Sequence, residues 1–187
     1  MAIFFTSDFH LGDEVLVQIK ARQFKSGSRM SDVLIANANC RAKRPEDTII
    51  HVGDFVAYGK DKGIESARIS SDEYLKRFTA KVVLLEGNHD PNNHVRTDGK
   101  LMFVDLGPYR NVSVGHFPSW YKQSTSILPE RGMGSIHICG HVHDSFLWKI
   151  SDAGTLNINV GVDVWNNQIV SITDLLKLIS KIRKNTV

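Results

Sequence analysis

The sequence predicts a layered α/β fold, and three observations carry that prediction. Short runs of apolar, often β-branched residues recur along the chain, separated by stretches with helical periodicity. Several of those runs are nearly continuous in apolar residues, as strands covered on both faces are. Most are followed at once by glycine, acid, amide or imidazole residues, and the carboxyl ends of strands are where α/β proteins carry chemistry.

Taken in order, strands are predicted over residues 2–7, 48–53, 81–86, 101–106, 111–114, 135–139 and 156–160. Gly107-Pro108-Tyr109-Arg110 is a turn signal, so the fourth and fifth should form an antiparallel pair. Helices fill the gaps. Residues 14–24 place Val15, Leu16 and Ile19 on one side. Residues 31–43 form a second helix that Pro45 ends. Ser70 with Glu73 resembles a capping box opening 72–78, and Ser171 with Asp174 does the same for 175–183. In that last helix Leu175, Leu176 and Ile179 recur at core-facing spacing. The longest irregular stretch, 117–134, carries two prolines and two glycines directly after His116. A loop of that length in a compact domain is commonly functional or disordered, and this one is placed to face a substrate.

With 187 residues, 42% hydrophobic and 23% charged, the composition is that of a globular protein folding as one domain over residues 1–187. Two cysteines, Cys40 and Cys139, form no CxxC pair, which argues against a disulfide framework and for a reducing, cytoplasmic location. No segment is long and apolar enough for a signal peptide or a membrane span, so no membrane partner is expected. The net charge of +3 comes partly from Lys177, Lys181, Arg183 and Lys184. A solvated helix face with cations at its C-terminal end explains that cluster more simply than a nucleic-acid contact.

Five segments carry the chemistry: Asp8-Phe9-His10, Gly53-Asp54, Gly87-Asn88-His89-Asp90, Gly115-His116 and Gly140-His141-Val142-His143. They hold five of the eight histidines. In an extended strand residues two apart point the same way, so Asp8 and His10 are expected to converge on one side, as are His141 and His143. Carboxylate oxygens and imidazole nitrogens suit Mn²⁺, Fe, Zn²⁺ or Ni²⁺. Asp54 can bridge two ions through its two oxygens, and Asn88 can add a neutral carbonyl oxygen. The glycines before Asp54, Asn88, His116 and His141 permit tight turns and close backbone approach.

The ordered set D-x-H, GD, GNH-acid, GH and GHxH resembles the calcineurin-like metallophosphoesterase superfamily. Residues 37–56 resemble its segment leading into the GD block. His116-Phe117-Pro118 and Asn159-Val160-Gly161-Val162-Asp163 resemble its small cap-less bacterial and phage members. The resemblance implies a metallo-dependent phosphatase-like fold, a two-sheet β-sandwich flanked by helices in four layers, αββα. It implies two divalent metal ions, one held by Asp8, His10, Asp54 and His143 and the other by Asp54, Asn88, His116 and His141. Such pairs sit about 3.5–4 Å apart, and a hydroxide bridging them attacks phosphorus. It also implies that His89 assists the leaving group. Asp90 either orients His89 or is a turn residue before Pro91.

One departure bears on the substrate. The protein-phosphatase branch reads GDxVDRG, where this chain has Ala57 and Tyr58 in place of the carboxylate and the arginine. A monoester dianion benefits from that guanidinium more than a diester does, which favours a phosphodiesterase. The expected partner is a small phosphorylated substrate, a nucleotide or nucleic acid, with oligomeric state undetermined. A phosphomonoesterase or nuclease with the same centre is the alternative. A non-catalytic metal-dependent scaffold should have lost His89 or a ligand, and this chain has not. Trp120, Tyr121, Lys122 and Arg131 in the long loop either contact substrate or pack the loop onto the domain. His51, His94 and His137 are expected to be structural, the first and last buried with backbone partners. An H-x-C-x-H-x-H zinc site through His137 and Cys139 would leave the other four segments unexplained. Trp148 and Trp165 are expected core or rim aromatics.

Overall fold

The computed structural model describes residues 1–19, 21–57, 69–125 and 135–185. Within them lie strands β1 (Ile3–Thr6), β2 (Thr48–Val52), β3 (Lys81–Leu85), β4 (Leu101–Leu106), β5 (Tyr109–Gly115), β6 (Ile136–Cys139), β7 (Trp148–Ile150), β8 (Leu156–Asn159) and β9 (Val170–Ser171). Helices are α1 (Glu14–Gln18), α2 (Gly27–Arg41), α3 (Ser71–Leu75), α4 (Lys122–Thr125) and α5 (Ile172–Asn185).

Two sheets form, in strand orders β3-β2-β1-β9 and β4-β5-β6-β8-β7. β1, β2 and β3 run parallel, and so do β5, β6 and β8. β4 pairs with β5 antiparallel across the predicted turn. Alternation explains the layering. Phe5, Ile50 and Val52 of the first sheet share one buried cluster with Val112, Val114, Ile136, Ile138, Leu156 and Ile158 of the second. Leu175, Ile179 and Ile182 of α5 join it, as their spacing predicts. On the opposite face of the first sheet, Phe4, Ile49 and Leu84 meet Met30, Leu34, Ile35 and Ala38 of α2 and Tyr74 of α3. This is the two-sheet, helix-flanked α/β architecture expected. Fully burying each such side chain contributes roughly 1.5–3 kcal/mol, enough to fix strand register. Register in turn brings the C-terminal ends of β1, β2, β3, β5 and β6 to one edge. An isolated bridge between Ser7 and Gly161 helps tie that edge together.

Differences from expectation have local causes. α1 stops at Gln18 rather than continuing to Phe24, because Arg22 turns inward to make buried hydrogen bonds described below. α2 starts at Gly27 rather than Ser31: Ser26 is its N-cap, its side chain accepting from Arg29 N–H at 3.1 Å. Gly27 is required there, since a Cβ would lie 2.8 Å from the Asp13 backbone. The capping box at Ser70 and Glu73 forms. Ser171 and Asp174 cap reciprocally at 3.0 and 3.1 Å, and α5 starts directly after Ser171, at Ile172 rather than at Leu175. Strands β7 and β9 were not predicted. The first is an exposed three-residue edge and the second has only two residues.

Other expectations concern lone residues. His137 is buried with the backbone partner expected, 2.9 Å from Phe117 O, and its other nitrogen meets Ser113 Oγ at 2.8 Å. His51 is buried but has no such partner: neither ring nitrogen makes a hydrogen bond. It sits edge-on to Phe9 and Phe55, and burial drives its pKa down to about 3, keeping it neutral. His94 is exposed. Lys177, Lys181, Arg183 and Lys184 are all exposed on α5, as a solvated face requires. Trp165 is half-buried on the sheet core with Nε1 on Asn159 O, while Trp148 lies at the rim. No described helix is long and apolar enough to cross a membrane.

Candidate metal centre

The seven predicted donors meet at the common strand-end edge, but not by strand alternation. β1 ends at Thr6 and β6 at Cys139, before the donors begin. Asp8, His10, Asp54, His141 and His143 instead have left-handed backbones, with φ of 58°, 49°, 57°, 71° and 46°. Such conformations cost non-glycine residues about 1–3 kcal/mol each and persist only where the surroundings fix them.

The surroundings do fix them. Segment 8–11 runs beside segment 53–56, with Asp8 N–H on Gly53 O, His10 N–H on Asp54 O and Leu11 N–H on Phe55 O at 3.0–3.1 Å. Arg22, 5% exposed, donates to the carbonyls of Asp8 and Phe9. The His141 amide donates to the Asp8 carboxylate at 3.0 Å. Gly87 packs on the Asp54 carboxylate and Gly140 on Ser7 and Asp8; a Cβ at either would collide with those groups. Close approach, rather than turn conformation, is what these two glycines provide.

Asp90 has a different task from the one expected in part. It is fully buried and accepts hydrogen bonds from the amides of Asp54, Phe55 and Gly87 at 2.8–2.9 Å. Its carboxylate makes no contact with the His89 imidazole among the described residues, so it holds the two loops rather than orienting His89. His89 itself is exposed, its amide donating to Asp54 Oδ1 at 2.9 Å and its ring 5.1 Å from that of His10.

Ligand atoms of Asp8, His10 and His143 lie within 4.8 Å of one another, as do those of Asp8, Asp54 and His116. Asp54 Oδ2 stands 3.6 Å from His10 Nε2 and 3.3 Å from His116 Nε2, so it lies between the two groups. Asn88 Oδ1 meets His116 Nε2 at 3.1 Å and His141 Nδ1 at 2.9 Å. Asp8 thus belongs to both clusters, a sharing that the sequence does not suggest.

These residues fit divalent cations. Both ring nitrogens of His10 are buried without a hydrogen bond, an arrangement that costs free energy unless a partner is supplied. Oxygen and imidazole donors with no thiolate suit Mn²⁺, Fe, Zn²⁺ or Ni²⁺. Cys139 is buried, and burial followed by the nearby Asp8 charge pushes its thiol far above the ordinary range. With His137 engaged elsewhere, the alternative zinc site has no basis in this geometry.

Electrostatics reflect the crowded carboxylates. Burial opposes charge on Asp54, but His116 and His10 outweigh it and hold the carboxyl well below its usual value. Burial likewise lowers the His116 pKa, yet Asp54 and Asp8 overcome it and push the imidazole up to about 9. The pocket therefore attracts positive charge.

Sequence reasoning missed Arg22 as a site residue. Its Nε and Nη2 each bond Asp163 at 2.8 Å, and Asp163 Oδ2 meets His143 Nδ1 at 2.9 Å. The hydrogen bond to Asp163, against the effect of burial, raises the His143 pKa. With Nδ1 so engaged, Nε2 is the His143 nitrogen left for the donor cluster. Asp163 lay in a segment singled out from sequence, but Arg22, inside a predicted helix, carried no signal. Asp163→Asn is expected to weaken Mn²⁺ binding by about 10–100-fold, read by calorimetric titration, with Arg22→Met similar.

Of the predicted substrate contacts, Tyr121 is half-buried with its ring 5.1 Å from His141 and 6.1 Å from Phe117. Trp120 extends that row, 6.4 Å from Tyr121 and 5.6 Å from Phe146, with Lys149 over its ring. Lys122 is exposed at the start of α4. Arg131 and Tyr58 lie outside the described residues. Tyr121 is therefore both packed and close to a donor, while Trp120 packs behind it.

Comparisons with known proteins show what the chain as a whole is similar to. The Gene 66 protein of Mycobacterium phage L5 is 25% identical over 205 residues, covering 96% of this chain and 95% of its own. The uncharacterized protein MJ1445 of Methanocaldococcus jannaschii is 27% identical over 181 residues, covering 96% and 92%. The solved structure of AQ665 from Aquifex aeolicus, a protein of unknown function, superposes with a TM-score of 0.65 at 21% identity. It covers 95% of this chain and 98% of its own, a likeness of fold. The calcineurin-like phosphoesterase profile matches residues 1–173, and with that match the chain belongs to the calcineurin-like phosphoesterase family.

Proposed function

We propose that this phosphoesterase is a phosphodiesterase acting on small molecules such as nucleotides. Asp8, His10, Asp54 and His143 would hold one divalent cation and Asp54, Asn88, His116 and His141 a second, with His89 placed to assist the leaving group. The observation that carries the reading is the meeting of seven donors from five strand ends in one pocket, with His89 exposed beside them. Mn²⁺ is the favoured ion. Bound divalent cations supply Lewis-acid charge for the phosphoryl oxygens and acidify water.

The chain's own residues do the rest. Asn88 adds an oxygen donor without adding negative charge. His89, anchored through its amide to Asp54, can deliver a proton to the departing alkoxide from the solvent side. Asp90 keeps the two loops of the centre in register and is a positioning residue. Tyr58 stands where a phosphate-clamping guanidinium would serve a dianion, which supports a singly charged diester. The row Phe117, Tyr121 and Trp120 supports an aromatic ester group near His141. One domain comprises all these loops, and free Cys40 and Cys139 suit a reducing cytoplasm.

The test compares initial rates on bis(p-nitrophenyl) phosphate and p-nitrophenyl phosphate with Mn²⁺-loaded protein, alongside a chelated control. Diester turnover should dominate and vanish on chelation. His89→Ala should lower it by about 10²-fold or more with the Mn²⁺ content unchanged. Unaltered turnover in that variant would remove His89 from the mechanism, and monoester preference would overturn the diesterase reading.

A further inference from the structure

Beside the donor cluster lies a cavity of about 300 Å³ that Asn88 and His116 line directly. A group esterified to phosphorus at those donors can therefore enter it without a long linker. Its size is at the lower end of the roughly 300–1,000 Å³ typical of small-molecule sites, which suits one ring system and its attachment rather than an oligomer. Leu101 and Phe117 supply apolar walls. The Phe117 ring is fixed by contacts with His116 at 5.0 Å, His141 at 4.6 Å and Tyr121 at 6.1 Å, so the wall is preformed.

The polar wall decides the ligand class. Glu86 and Lys100 both line the cavity and pair at 2.8 Å, Glu86 the more buried of the two. Together they offer an acceptor and a cationic donor with no net charge. A second phosphate would face the Glu86 carboxylate and compete with it for the lysine. A neutral planar ring with donor and acceptor edges matches both groups, with Gln123 adding a side chain able to do either.

We propose that this cavity is a nucleoside subsite, holding the base of one ester group of the substrate through Glu86 and Lys100 against Phe117. The proposal deepens the phosphodiesterase reading and rests on it for the position of the phosphate. Selectivity then comes from the Glu86–Lys100 pair, which rejects rings that cannot hydrogen-bond because the pair would be desolvated without replacement.

Mn²⁺-loaded wild type, Leu101→Trp and Lys100→Met are compared on two diesters sharing a leaving group, thymidine 5′-(p-nitrophenyl phosphate) and methyl p-nitrophenyl phosphate. Binding of free thymidine is followed in parallel by saturation-transfer NMR. The wild type should show a kcat/KM about tenfold or more higher for the thymidine ester and should bind thymidine. Leu101→Trp, which fills the cavity, should lose both while keeping methyl-ester turnover. Lys100→Met, a milder change on an exposed side chain, should raise KM for the thymidine ester alone. Equal kcat/KM on both diesters, or thymidine binding untouched by Leu101→Trp and Lys100→Met, overturns the subsite and leaves the phosphodiesterase intact. Thymidine binding that both variants weaken, in a protein that hydrolyses neither diester, keeps the subsite and sinks the phosphodiesterase.

Discussion

Asp54→Asn is expected to lower diester turnover by about 10³-fold and to leave the purified protein short of bound Mn²⁺. The side chain is 2% exposed, with Oδ1 accepting the His89 amide and Oδ2 facing His10 and His116. Asparagine preserves shape and can keep the bond to the His89 amide. It turns an N–H₂ toward imidazole nitrogens and removes the charge on which both halves of the cluster depend. Losing a group aimed at developing charge in an enclosed site typically costs about 10²–10³-fold, and loss of a cation adds to that. Elemental analysis and initial rates on the same sample check it. A variant with full Mn²⁺ content and an undiminished rate would show that Asp54 does not stand between the ions.

Asp90→Ala is expected to act on stability. The carboxylate satisfies three buried or part-buried amides, those of Asp54, Phe55 and Gly87. Each amide left without an acceptor costs roughly 1–3 kcal/mol, so a total loss of about 3–9 kcal/mol is anticipated. For a chain of this size that corresponds to a fall in Tm of about 10 °C or more. Thermal melts with chelator present isolate the effect from cation binding. An unchanged Tm would mean that these amides find other partners and that Asp90 is no bracket for the two loops.

What the sequence disclosed divides along a physical line. Strands β1 to β6 and β8 were legible because they are apolar runs bounded by glycine and polar residues, and the amphipathic stripe of α5 was legible for the same reason. The five donor segments stood out because acids and imidazoles after apolar runs are costly unless used. Their backbone conformation was not legible: left-handed φ at Asp8 or His143 is imposed by tertiary hydrogen bonds and has no local cue. Arg22 was invisible because its side-chain partners are 8 to 141 residues away and its neighbours look helical. β7 is short and exposed, so neither alternation nor length marks it. The role of Asp90 was half legible, since one Asp before a proline explains a turn as readily as it explains three tertiary amide bonds.

Carboxylate and imidazole side chains at five left-handed positions keep the polypeptide in a shape that glycine or asparagine would occupy at less cost. The backbone strain is thus carried for what those side chains can grip, and adding Mn²⁺ to the chelated protein should raise its Tm through the free energy of ligation.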